Sequence, residues 1–343
     1  MRAVPGYTVP LMLLEELGWN DWFASAFVPH AAPGCAPGRV TADFGRGWGV
    51  TTADGEILTE ATGKLRHRST CRAELPVAGD WVVVQPRANE PRAQLLAVLP
   101  RRTVLSRQAA GHRRAEEQVL AANLDTVFIV IGLDAAINLR RLERFLTAVR
   151  SGGIAAVVVL NKSDLLNDPA AACAEVTAHA GGATVVVTSA TLRGGIKPLK
   201  PWLVARQTVA FLGTSGVGKS ALVNRLVGDD VQAVQAVRAA DCKGRHTTSS
   251  RELLIGPGGV LLLDTPGMRE FQFWDTDAPL AGLFPDVAAQ AAQCRFRDCR
   301  HGTEPGCAVQ AAIARGELDA ARLASFLKLK AERSLASTPW KRA

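Results

Sequence analysis

The sequence predicts a multidomain chain: an N-terminal all-β barrel, a central α/β domain with a mostly parallel sheet, and a small helical domain organised by a metal cluster. Three observations carry that expectation. Residues 38–105 hold about five short β-branched or alternating runs, separated by Gly and Asp-Gly turn signals. From Gln118 onward, apolar runs alternate with amphipathic stretches, the pattern of strands covered on both faces by helices. Between Cys294 and Cys307, three cysteines and one histidine are crowded together. The boundaries that follow are 1–37 as an extension, 38–110 as the barrel, 111–274 as the α/β domain and 275–343 as the metal-bearing end.

Composition narrows the classes. The 343 residues carry a net charge of +8, and residues 36–114 hold most of the excess, with 13 Lys and Arg against 7 Asp and Glu. A basic segment without an amphipathic anchor points to nucleic acid before membrane. The seven cysteines are odd in number and four of them stand alone, which excludes a disulfide framework. The apolar runs are far too short to span a bilayer. The N-terminal apolar patch is broken by Glu15 and Glu16 and lacks the features of a signal peptide, so a cytoplasmic location is expected.

In chain order, residues 11–27 suit a short amphipathic helix bearing Trp19, Trp22 and Phe23, and residues 33–38 read as a linker. Residues 39–45, 48–52, 56–61, 80–84 and 94–99 are the barrel strands, in a number that suits an OB-fold. Arg66, Arg68, Arg72, Arg87, Arg92, Arg101 and Arg102 are candidates for phosphate contact. Trp48 and Trp81 can stack on bases, although in a small barrel the core is the commoner place for an aromatic.

The α/β domain begins with a buried strand at 125–131 and a helix at 139–149. Strands at 155–160 and 183–188 follow, with a helix at 170–180 between them and a poorer one at 196–205. Next, a strand at 208–212 leads into residues 213–220, GTSGVGKS, and a helix at 221–227. This is the G-x-x-x-x-G-K-[ST] phosphate loop in its proper strand–loop–helix setting. Gly213, Thr214, Ser215, Gly216, Val217 and Gly218 form a nest of backbone N–H groups at a helix N-terminus, with Ala221 closing it. Lys219 is placed for the β- and γ-phosphates and the Ser220 hydroxyl for Mg²⁺.

Asn161-Lys162-Ser163-Asp164 directly follows a strand and fits N-K-x-D. The Asp164 carboxylate can accept from guanine N1–H and N2–H₂, the Lys162 stem can pack on the base, and Asn161 can tie this loop to the phosphate loop. Ser189 and Ala190 resemble the short loop that contacts guanine O6. After a strand at 260–263, Asp264-Thr-Pro-Gly267 fits D-x-x-G, with Asp264 on Mg²⁺ through water and the Gly267 N–H on the γ-phosphate. Residues 243–249, KGRHTTS, occupy the place of a first switch loop, where Thr247 or Thr248 supplies the second Mg²⁺ hydroxyl and Thr248 is preferred. Met268 stands where Ras-like enzymes use a water-orienting glutamine, and His246 is the nearest polar substitute. The motif order is not that of a Ras-like domain, which starts with the phosphate loop. Joining the usual ends and cutting before residue 125 reproduces it, so the domain is a circular permutation.

Cys294, Cys299, His301 and Cys307 give C-x₄-C-x-H-x₅-C, a filled donor set suited to one structural Zn²⁺. Arg295, Arg297 and Arg300 lie among these ligands, and helical patterns follow at 309–315 and 318–332.

Together the A-G-D at 78–80, Q-V-L-A-A-N-L-D at 118–125, NKSD, GTSGVGKS, GRHTTS, DTPG and the Cys/His knuckle resemble the circularly permuted, small-subunit-dependent GTPases of bacteria, the RsgA (YjeQ) family. The resemblance covers roughly residues 38–335. It implies an OB-fold, a permuted GTPase domain and a zinc-containing C-terminal domain. It also implies a monomeric partner of the 30S subunit and its 16S rRNA, acting late in maturation. Hydrolysis of GTP would be stimulated by the subunit and would drive release, with His246 as the catalytic switch residue. Two rival readings are a nucleic-acid-binding module that uses GTP and GDP only as a switch, and a phosphate-loop ATPase or kinase. The first 35 residues and the AAGHRR stretch at 109–114 depart from the family pattern.

Overall fold

The five short runs of the first hundred residues do close into a barrel. In a computed structural model of the chain, the described residues are 14–45, 47–69, 71–87, 90, 92–108, 117–227, 251–264, 284–296, 298–302, 304–324 and 326–327. The barrel strands are β1 (Ala36–Asp43), β2 (Trp48–Thr52), β3 (Gly55–Ala61), β4 (Trp81–Gln85) and β5 (Ala93–Val98). Their order is β1–β2–β3–β5–β4, and β4 pairs back on β1, so no edge remains open. The β3–β5 pair is parallel and the other barrel pairs are antiparallel. Inside sit Val40, Trp48, Val50, Val82, Val84 and Leu95, the inward members of each alternation.

The α/β domain follows the permuted order. Its strands are β8 (Thr126–Gly132), β9 (Ala155–Asn161), β10 (Thr184–Val187), β11 (Thr208–Leu212), β12 (Arg251–Ile255) and β13 (Leu261–Asp264). They lie side by side as β10–β9–β8–β11–β13–β12, all parallel except β12, which returns antiparallel on β13. Alternate residues serve opposite faces. Val127 and Ile129 join a cluster with Leu142, Leu146 and Val149 of α3 (Leu139–Ser151). Phe128 and Val130 join another with Leu222 and Val223 of α5 (Lys219–Val227). This explains why the strands read as unbroken apolar runs.

Two features were not legible in the sequence. An antiparallel hairpin of β6 (Val104–Gln108) and β7 (Glu117–Ala122) forms its own two-stranded sheet between barrel and α/β domain. In addition, β1 pairs with β12 through Ala42 with Glu252 and Asp43 with Arg251, so the barrel and the α/β domain share one 11-stranded sheet. A register shift between Val40 and Ala42 lets β1 serve β2, β4 and β12.

The N-terminal segment is structural. The expected single helix is two pieces, a 3₁₀ turn at Leu14–Leu17 and α1 (Asp21–Phe27). The break falls at Asn20, whose side chain caps α1 by accepting from the Trp22 and Phe23 amides. Trp19 meets Trp81 edge-on at 4.7 Å, and Leu17 and Phe23 are buried. The stretch expected as a poor helix at 196–205 is a 3₁₀ helix over Lys197–Trp202, since Pro201 removes a backbone donor. At the other end, α6 (Pro285–Ala291), α7 (Ala308–Ala314) and a helical stretch at 320–324 pack together through Phe284, Val287, Val309 and Leu323. Among the described residues, no helix is long and apolar enough to cross a membrane.

Candidate nucleotide site and metal centre

Parallel strands that end on one side of a sheet bring their following loops together. Here β9 ends in Asn161, β11 runs into the loop at 213–218, β10 precedes Thr188 and Ser189, and β13 ends at Asp264. The loops are bonded to one another. Asn161 Nδ2 donates to the Val217 carbonyl at 2.9 Å, so the base loop is tied to the phosphate loop as expected. The Thr188 hydroxyl donates to Asn161 Oδ1 at 3.3 Å, and the Ser163 amide donates to the Thr188 carbonyl at 3.1 Å. Gly218 has φ +95°, and a Cβ there would lie 2.3 Å from Asn161 Nδ2. Only glycine permits this crossing.

The carboxylate of Asp164, expected at a guanine edge, is held by its neighbours. The Ser189 hydroxyl donates to Asp164 Oδ1 at 2.5 Å and lies 2.8 Å from the Thr191 hydroxyl. The Ser189 hydroxyl keeps the Asp164 carboxyl below the usual carboxylate range, so it is ionised and acceptor-only near neutrality. Lys219 Nζ donates to the carbonyls of Gly213 at 2.8 Å and Thr214 at 2.7 Å. It lies folded over the loop it is expected to leave when phosphate oxygens compete for it. Ser215, Gly216, Ser220 and Ala221 are exposed at the loop mouth. Ser163 and Ala190 are half-buried beside Asp164 and Ser189. The backbone of Asp264 ends β13 one strand away from β11. His246, Thr247, Thr248, Gly267 and Met268 lie outside the described residues.

The donor atoms of Cys294, Cys299, His301 and Cys307 all lie within 4.8 Å of one another. Tetrahedral Zn²⁺ with Zn–S near 2.3 Å and Zn–N near 2.05 Å requires S···S edges of about 3.8 Å and S···N edges of about 3.6 Å. The Cys294–Cys307 sulfurs are 4.0 Å apart, and His301 Nδ1 stands 3.6 Å and 3.7 Å from them. These residues fit the ion, with Nδ1 as the imidazole donor. The amide of Gln310 donates to Cys307 Sγ at 3.5 Å, so Cys307 also caps α7.

The chain is similar to known proteins in sequence and fold. Residues 98–274 match the family model for the RsgA GTPase. Among curated relatives, the small ribosomal subunit biogenesis GTPase RsgA of Opitutus terrae is 49% identical over 335 residues, covering 95% of this chain and 91% of its own. The protein of the same name from Syntrophotalea carbinolica is 43% identical, covering 94% and 90%. The chain belongs to the RsgA GTPase family. It is therefore a GTP-hydrolysing enzyme. Among solved structures, YjeQ from Thermotoga maritima superposes with a TM-score of 0.62 at 25% identity, covering 88% of this chain and 99% of its own. A second circularly permuted GTPase, YloQ, gives a TM-score of 0.59 at 23% identity, which bears on the fold alone.

Within this RsgA GTPase, the barrel tryptophans take the core placement that was the commoner expectation, and one arginine expectation needs correction. Trp48 and Trp81 are 5% and 1% exposed, so neither is a stacking platform. Trp48 donates to the Pro76 carbonyl at 2.9 Å inside the barrel, and Trp81 lies under the N-terminal segment. Arg101 does not face a phosphate either. It donates twice to Asp80 at 2.8 Å, and to the carbonyls of Ala73 and Leu75. Burial pushes the Asp80 carboxyl up, while Arg101 and the Val77 amide oppose that. Arg87 pairs with Glu90 and Arg92 with Glu60, whereas Arg66, Arg68, Arg72 and Arg102 are exposed. Sequence reasoning also missed Arg39, a fully buried guanidinium at the barrel junction, and Asp134, which pairs with Lys162. Both follow strand-like or turn-like patterns that carry no motif.

Proposed function

We propose that this enzyme binds the 30S ribosomal subunit and its 16S rRNA and acts in late maturation, with GTP hydrolysis stimulated by the subunit and driving release. One observation carries the reading. The loop set for a guanine nucleotide lies at one end of a permuted sheet that runs without interruption into a basic barrel. The names of the curated relatives support the same assignment. In this reading Asp164 reads guanine, Lys162 packs on it, and Ser189 and Ala190 border O6. Residues 213–221 cradle the phosphates, with Gly267 at the γ-phosphate. Ser220, Thr248 and, through water, Asp264 would hold Mg²⁺, which neutralises charge on the β- and γ-oxygens. His246 orients the attacking water. Cys294, Cys299, His301 and Cys307 hold one structural Zn²⁺, and Arg66, Arg68, Arg72 and Arg102 with Arg295 and Arg300 face RNA phosphates. The protein works in the cytoplasm as a monomer.

The test is GTP hydrolysis with and without purified small subunits, at low and high salt. The expected result is a large stimulation at low salt that His246→Ala removes while GTP binding persists. Turnover unaffected by small subunits at any salt concentration would overturn the assignment.

A further inference from the structure

The base loop contains an ion pair that no motif predicts. Lys162 Nζ lies 2.6 Å from Asp134 Oδ2, where Asp134 belongs to the turn leaving β8. The Asp134 Oδ1 lies over the end of β8, 2.4 Å from the place a Gly132 Cβ would occupy. The adjoining Leu133 amide donates to the Asn161 carbonyl at 2.9 Å, which fixes this turn to the base loop. Lys162 ammonium beside it holds the Asp134 carboxyl below the ordinary carboxylate range.

Lys162 is constrained from the other side. Its backbone is left-handed, with φ +66°. Its stem passes the phosphate loop, with Cε 4.0 Å from the place a Gly218 Cβ would occupy. The stem therefore runs from the base loop across the end of the phosphate loop to Asp134, anchored at both ends. A free lysine side chain carries rotamer entropy, which a ligand must otherwise remove on binding.

We propose that Asp134 is a positioning residue for guanine nucleotides, which pre-orders the Lys162 stem as one wall of the base slot. This rests on the reading of Asn161–Asp164 as the base loop. Because the stem touches the base and not the γ-phosphate, Asp134 strengthens GDP and GTP binding by the same factor. Because a stem packs on any flat base, it leaves the choice of guanine over adenine to Asp164. Because the pair is partly exposed, its contribution falls as salt screens it.

The test is equilibrium binding of fluorescent GDP and of a non-hydrolysable GTP analogue to the full chain, at low and high salt. In Asp134→Ala and Asp134→Asn, both affinities should weaken by about threefold to tenfold at low salt and less at high salt. The kcat at saturating GTP should stay as in wild type while KM rises. In a Lys162→Ala background, adding Asp134→Ala should change nothing further. Unchanged affinity in Asp134→Ala at low salt overturns the proposal. So does a penalty that persists in the Lys162→Ala background or that differs between GDP and the GTP analogue. Asp164→Asn separates the two layers: if it leaves guanine preference intact, the base-loop reading itself fails. If it abolishes that preference while Asp134→Ala binds as wild type, the positioning role alone is wrong.

Discussion

Arg39 offers the sharpest test of how the parts are joined. It leaves β1 at the barrel wall and is 2% exposed. Its guanidinium donates to the Leu17 carbonyl of the N-terminal segment, to the Gly79 carbonyl at 3.3 Å, to the Asn123 carbonyl at 3.3 Å and to the Thr208 hydroxyl at 2.8 Å. It also sits 5.7 Å over the Trp81 ring. Three parts of the chain thus meet on one side chain. Burial holds its pKa down to about 10, against the opposing charges of Asp125 and Asp80. The net electrostatic cost of holding the charge there, desolvation less the attraction of Asp125 and Asp80, is about 3 kcal/mol from the size of that displacement. Four bonds from a charged donor, at about 1.5 kcal/mol each, contribute about 6 kcal/mol. Arg39→Met keeps most of the packing volume, so the expected net loss is about 3 kcal/mol. Urea unfolding followed by tryptophan fluorescence reads it. The guanidinium stays protonated below pH 10, so the loss should be equal at pH 6 and pH 9. Only above pH 10, where the unfolded chain binds more protons than the native one, does wild-type stability gain from this group. A variant within 1 kcal/mol of wild type, or more stable, would refute the reasoning, since it would mean that the relief of desolvation cancels the four bonds.

Three further outcomes follow from the other charged and liganding groups. The Asp164 carboxyl is depressed by Ser189, so GDP affinity should hold as pH falls from 8 towards 5 and weaken only below the ordinary carboxylate range. In Ser189→Ala the acid limb should move to higher pH, which titrated GDP binding will show. Arg322 is 8% exposed and bridges Glu143 of α3 at 2.6 Å and Asp286 of α6 at 2.5 Å. Arg322→Ala takes the guanidinium away from the buried Glu143 carboxylate and should cost about 3–5 kcal/mol at the seam of the last helices, measured by thermal unfolding and limited proteolysis. Pairing it with Glu143→Gln should recover part of the loss. Metal analysis should find one Zn²⁺ per chain, and strong chelation should melt the segment around α7 while leaving nucleotide binding in place.

The chemistry was legible because it resides in short contiguous strings. A phosphate loop needs glycines and a lysine at set spacing, and a base loop needs its aspartate directly after a strand. A Cys/His knuckle needs donors a few residues apart. The motif order alone disclosed the permutation, and the observed strand sequence β10–β9–β8–β11–β13–β12 agrees with it. The barrel strands, from β1 to β5, were visible through alternation and turn residues, because one face of each lies inside.

Tertiary structure decided what depends on partners distant in sequence. Arg101 and Arg66 look alike in a string of arginines, yet only Arg101 has Asp80 opposite it. The core was the commoner expectation for Trp81, but that the N-terminal segment is what folds over it is announced by nothing local. The β1–β12 pairing joins residues some 210 positions apart through backbone bonds, which carry no side-chain signature. The Lys162–Asp134 pair likewise exists because adjacent parallel strands end at the same height. Local sequence specified which groups could bind a guanine nucleotide and a metal; the packing of strands determined which charges are spent on holding the domains together and which remain for ligands.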